Sequence, residues 1–195
     1  MGSTVVGSTR VFFIGDSFVQ GIGDPGQRGW VGRVLQASHA PGRDLTGFNL
    51  GVRRNTSDDV LARCWDEVSR RTDPAADHRL VVSFGINDAV EECGAVRVRH
   101  ERTVSNLAEL LAGASRRGMA ALVVGPPPVI AGGRSHLDRL LALADGFDRV
   151  CAQAETPYIP VTQLLAADDT WQAEAGAGDA PTPGPPGTTG WRRWC

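Results

Sequence analysis

RVFFIGDS, Arg10–Ser17, decides the fold. RVFFIG is a short continuous apolar run closed by glycine, the pattern of a strand buried on both faces, and two polar residues follow it at once. Four more runs share that character: GFNLG (Gly47–Gly51), RLVVSF (Arg79–Phe84), Ala120–Gly125 and YIPV (Tyr158–Val161), the last weakened by Pro160. Between them the period becomes helical. Val60, Leu61, Cys64 and Val68 fall on one face behind Ser57 as N-cap; Val104, Leu107, Leu111 and Ala114 form a second stripe; Leu137, Leu140, Leu141, Ala144 and Cys151 form a third. An earlier helix is read around Gly29–Ser38, with Val31, Val34 and Leu35 as its apolar face. Strands alternating with helices at this spacing predict an α/β protein, a three-layer α/β/α sandwich around a parallel five-stranded sheet.

The chain has 195 residues and a mass of 20.7 kDa, which suits one domain with a tail. The boundary is drawn between residues 1–175 and residues 176–195. GAGDAPTPGPPGTTGWRRWC (Gly176–Cys195) has no periodicity and is read as irregular or disordered. A net charge of -2 offers no positive field to a phosphate backbone, so nucleic acid is not an expected partner. The run Met119–Ile130 is too short for a bilayer and holds Pro126, Pro127 and Pro128, and Met1–Arg10 resembles no targeting signal. A cytoplasmic protein without membrane attachment is expected. Cys64, Cys93, Cys151 and Cys195 lie far apart with no CxxC pair, which argues against disulfides and zinc. All 20 basic residues are arginine, the usage of a GC-rich gene.

In an open parallel sheet, ligands bind at the carboxyl ends of the strands. The first three strands run into Gly15-Asp16-Ser17, Asn49-Leu50-Gly51 and Gly85-Ile86-Asn87-Asp88. A serine on a tight turn after a strand can act as a nucleophile, and a glycine N–H with an asparagine amide can face a developing oxyanion. A formal GxGxxG at Gly21–Gly26 starts too far beyond its strand for a dinucleotide fingerprint and is read as a flexible rim beside Ser17.

FIGDSFVQG, NLGV and FGIND, in this order and each at a strand end, resemble the first three blocks of the SGNH hydrolases, the GDSL esterase and lipase family. The resemblance spans about residues 10–175. It implies a flavodoxin-like strand order 2-1-3-4-5 and a serine esterase acting on a small ester through an acyl-enzyme, with no metal or organic cofactor. Ser17 would be the nucleophile, and the Ser17 N–H, Gly51 and the Asn87 side chain the oxyanion hole. The fourth block, Asp-x-x-His, falls on Asp179-Ala180-Pro181-Thr182, where Asp179 would orient the base but threonine stands in place of histidine. Activity is therefore expected to be impaired, and the alternative is an inactive SGNH-fold binding protein. A reading-frame shift in a GC-rich gene would explain both the threonine and a last helix that never appears. His39 and His78 are expected at the amino edge of the sheet, and His100 and His136 on the surface. Without the last helix, apolar surface beside Val11 and Phe13 would be exposed. Self-association is expected to cover it, in preference to the tail with Trp191 and Trp194.

Overall fold

The computed structural model describes residues 7–24, 26, 28–128, 133–169 and 171. Its elements run β1 (Thr9–Gly15), α1 (Ser17–Gln20), α2 (Gly29–Ala37), β2 (Leu45–Gly51), α3 (Ser57–Ser69), β3 (Asp77–Ser83), β4 (Glu91–Glu92), β5 (Ala95–Val96), α4 (His100–Arg116), β6 (Ala120–Val124), α5 (Gly133–Gln153), β7 (Tyr158–Ile159) and α6 (Val161–Ala166). One parallel sheet has the order β2-β1-β3-β6-β7, so its five strands follow the expected 2-1-3-4-5 pattern. A small antiparallel pair, β4 with β5, sits in the connection after β3.

Strand alternation divides the apolar residues between two layers. Phe12, Ile14, Leu80, Val82 and Val123 enter the larger core with Val60, Cys64, Leu107, Leu110, Leu140 and Phe147 from α3, α4 and α5. Phe13 and Val81 turn to the opposite face, where they pack with Val19 and Val31, and Val11, Leu122 and Val124 border them. Each fully buried side chain of this kind contributes about 1.5–3 kcal/mol. Among the described residues that second face is only partly roofed. Val11, Phe13, Val81, Leu122 and Val124 floor a groove of about 1000 Å³ that runs between α2 and the α6–Trp171 side. Of the two residues that mark the expected exposed surface, Phe13 is buried and Val11 half-buried on the groove floor.

The local reading needs four corrections. Helix α3 is capped by Thr56 and not Ser57: Thr56 exchanges bonds with Asp59 in a capping box, which leaves the Ser57 N–H for Asp88. Val34, placed on the apolar face of α2, is 44% exposed on a bank of the groove. The fifth strand is two residues long, because Pro160 ends it and becomes the N-cap of α6. The rim after Ser17 is tied down rather than loose: Asp24 accepts the N–H groups of Gly26, Arg28 and Gly29 and pairs with Arg33 at 2.7 Å. Together these hold the Asp24 carboxyl well below the usual carboxylate range, the Arg33 bond having the largest effect.

Cys64 and Cys151 are buried and Cys93 is exposed. Among the described residues no helix is long and apolar enough to cross a membrane. The segment 176–195, with Asp179, Thr182 and Cys195, lies outside the described residues.

Candidate active site

The carboxyl ends of β1, β2 and β3 meet in register at Gly15, Gly51 and Ser83. A side chain on Gly15 would run into the Ser83 carbonyl oxygen and Val19, and one on Gly51 into the backbone of Gln20. The two glycines let α1 lie directly against the strand ends.

Asp16 turns the chain from β1 into α1. It is the N-cap, its Oδ1 accepting the Phe18 N–H at 2.9 Å, and Gly21 closes the turn in the left-handed conformation with φ 86°. Ser17 is thereby the first residue of α1, half-buried, and its N–H and Oγ have no hydrogen-bond partner among the described residues. The Asp16 side chain is only 1% exposed and its Oδ2 accepts nothing. Burial pushes this carboxyl up to about 7; the Phe18 N–H opposes that rise and the nearby Asp88 carboxyl adds to it.

Asn87 leaves β3 in the turn after Gly85, and its Nδ2 donates to the Asn55 carbonyl at 2.9 Å. One amide hydrogen is thus anchored and the second is left for a ligand. Asp88 beside it is fully buried and accepts the Ser57 N–H on both oxygens, at 3.1 and 3.0 Å, and the Thr103 hydroxyl at 3.0 Å. Burial still raises its pKa, against those bonds. The Ala89 carbonyl takes the Arg139 Nε–H at 2.8 Å and faces His136 Nδ1 at 3.2 Å, which assigns the imidazole proton to Nδ1. His136 is 3% exposed, not on the surface as expected, because the first turns of α5 pack beneath the loop after β3. Its burial holds the imidazole pKa below the usual value.

Arg63 of α3 crosses this ground from below. It donates through Nη2 to the Gly15 carbonyl at 2.9 Å and through Nε to Asn55 Oδ1 at 2.7 Å, and Glu67 steadies Nη1 at 2.7 Å. The Gly15 carbonyl also accepts the Val52 N–H at 3.0 Å. The Ser17 turn, the loop after β2 and the Asn87 turn are therefore one hydrogen-bonded unit.

The Gly51 N–H has a partner within its own strand end. It is already engaged by Asn49 Oδ1 at 3.0 Å, and Asn49 in turn holds the Val19 carbonyl. Three residues on, Arg54 adopts φ 67°, a conformation that side-chain-bearing residues avoid, and its N–H has no partner among the described residues. Asn55, directly after it, carries the carbonyl that anchors Asn87. No histidine reaches Ser17: His78 sits near the amino end of β3 and accepts the Asp73 N–H, His39 follows α2, His100 opens α4, and His136 is turned to Ala89. Among the described residues no group of three or more histidine, cysteine, aspartate or glutamate side chains could hold a metal.

Residues 13–187 match the profile of the GDSL-like lipase/acylhydrolase family. No curated protein matches the chain. Among solved structures it is similar to AlinE4, an SGNH-hydrolase family esterase, with 20% identity, a TM-score of 0.64, and 87% of this chain and 82% of that one covered. The lipase/acylhydrolase from Enterococcus faecalis is similar at 21% identity and a TM-score of 0.67, covering 84% and 82% of the two chains. TesA is similar at 21% identity and a TM-score of 0.66, covering 83% of each. The shared architecture is the SGNH-hydrolase fold.

Proposed function

Because the chain belongs to the GDSL-like lipase/acylhydrolase family, and so to the carboxylic ester hydrolases, we propose that Ser17 is its nucleophile and that small carboxylic esters are its substrates. The observation that supports this most is the hydrogen-bonded unit joining Gly15, Asn55 and Asn87, which sets a free serine hydroxyl beside free amide donors. Ser17 Oγ adds to the ester carbonyl. The oxyanion is received by the Ser17 N–H and the second Asn87 amide hydrogen. We assign the remaining main-chain donor to Arg54 in place of Gly51, since the Gly51 N–H would first have to leave Asn49. Collapse of the tetrahedral species expels the alcohol and leaves an acyl-Ser17, which water hydrolyses.

Turnover by this chain is impaired because among the described residues no base reaches Ser17, and Thr182 stands where Asp179 would orient a histidine. The genetic code supports a displaced frame. Read from the third base of each codon, Pro181-Thr182 becomes N-A-C, the codon form of histidine, tyrosine, asparagine or aspartate. Five bases, three from codon 180 and two from codon 181, separate it from the Asp179 codon. One added base would make two codons and so the spacing Asp-x-x-His. In the same frame, with the CGN arginine codons of a GC-rich gene, Gly190–Cys195 (GWRRWC) changes to N-T-G, G-C-G, N-C-G, N-T-G and G-T-G: two residues that are Leu, Met or Val, an alanine, one small residue or proline, and a closing valine. That is an apolar stretch where the present frame has two arginines.

The test compares p-nitrophenyl acetate hydrolysis by this chain with that by the product of a gene carrying one extra base after codon 179. The extra base should raise kcat by about 10³-fold or more, and Ser17→Ala should abolish the gain. Ordinary esterase turnover by the present chain, lost in Ser17→Ala, would show that another base exists. His100→Ala and His136→Ala would then locate it.

A further inference from the structure

Arg63 has no place among the family-like blocks, yet it bonds the first block directly and the loop after the second, whose Asn55 holds Asn87 of the third. Its side chain is 19% exposed, and its guanidinium donates to three acceptors within 2.9 Å. Two of those acceptors belong to the site: the carbonyl of Gly15, two residues before the nucleophile, and the side chain of Asn55, whose own carbonyl holds Asn87. We propose that Arg63 is a positioning residue, whose guanidinium sets the Ser17 turn against the Asn87 amide from the rigid helix α3.

The chemistry requires a guanidinium. Nε and Nη2 lie on one edge of a planar fork and meet two acceptors on two different segments, while Glu67 one helical turn on occupies Nη1. A lysine ammonium is a point charge on a flexible stem and cannot hold both acceptors in this geometry. Without the fork, the Gly15 carbonyl keeps only the Val52 N–H, and the Asn55 side chain loses the bond that fixes its loop. The Ser17 hydroxyl and the Asn87 amide then drift relative to each other, and a displacement of about 1 Å costs about a hundredfold in rate.

The inference rests on the reading of Ser17 as nucleophile, so two measurements are needed. The first is the release of p-nitrophenolate from p-nitrophenyl methylphosphonate: Ser17 Oγ bonds to phosphorus, p-nitrophenolate leaves, and the serine proton passes to solvent. This single step needs no turnover. Arg63→Ala should lower the limiting labelling rate about a hundredfold while leaving the half-saturating reagent concentration within about twofold, the sign of lost transition-state placement. Added guanidinium should restore part of the rate, and Arg63→Lys should stay near the alanine variant. The second measurement follows hydrogen exchange at the Asn87 side-chain amide by NMR, which should quicken in Arg63→Ala and slow again with guanidinium. Labelling of Arg63→Ala at the unsubstituted rate, or a loss that guanidinium leaves untouched, overturns the proposal. If neither the unsubstituted chain nor the product of the gene with the added base is labelled, the reading of Ser17 fails; Arg63 is then judged on the amide, and unchanged exchange overturns it.

Discussion

Asp16→Asn should make the protein less stable in acid and more stable above neutrality. In the folded state the Asp16 carboxyl is held at about 7 against an ordinary 3.8, burial being the largest cause. The folded state thus keeps a proton that the unfolded chain gives up. The stabilisation is complete below about pH 3.8, declines as the pH rises, and is gone by about pH 7. The interval corresponds to about 4 kcal/mol. Asparagine still offers an oxygen to the Phe18 N–H and carries no charge, but it places an NH₂ where Oδ2 finds no partner, at a cost of about 1–3 kcal/mol. At about pH 4 only that cost operates and the variant is weaker by about 1–3 kcal/mol; at about pH 8 the relief of a buried carboxylate exceeds it and the variant gains about 1–3 kcal/mol. Urea unfolding of both proteins at the two pH values, with m checked for constancy, gives the difference directly. An equal difference at both pH values would refute the assignment of a retained proton to Asp16.

Thr56→Ala should cost about 1 kcal/mol by removing the hydroxyl half of the capping box, and Thr56→Ser should restore most of it, as read from the urea midpoint. Arg54→Gly should stabilise by about 1 kcal/mol, because glycine accepts φ 67° without strain and the lost ion pair to Glu92 is exposed. The same variant keeps the Arg54 main-chain N–H, so phosphonate labelling should continue; a loss of labelling would argue against that N–H as the oxyanion donor.

The sheet was legible in the sequence because β1 and β3 are buried on both faces, and burial of that kind writes unbroken apolar runs. Strand β7 was marginal for the opposite reason: two residues at an edge write almost no pattern. His136 had a signal that went unread. It stands four residues before Leu140 and seven before Leu143, on the stripe α5 turns inward, and a polar residue on such a stripe is buried with a partner. The partner of the Gly51 N–H is something no one-dimensional pattern carries, a side-chain amide two residues upstream that folds back on it. Arg63 is similarly invisible: it follows Val60 and precedes Cys64 at the margin of the buried face of α3, and only the meeting of three loops above it gives it a task.

The glycines at the ends of β1 and β2 separate heredity from activity. Any side chain at Gly15 would collide with the Ser83 carbonyl, and any at Gly51 with the main chain of Gln20, whether or not an ester is ever cleaved. Asp16 and Asp88, buried beside them, are held by the same packing, as N-cap of α1 and as acceptor for the first N–H of α3. Selection for a folded sheet alone would keep this lettering even in a lineage that had lost its base, where the motif would stand as a fossil of assembly. Recognising the blocks in a new sequence therefore certifies ancestry and architecture, and catalysis has to be certified separately, at the far end of the chain.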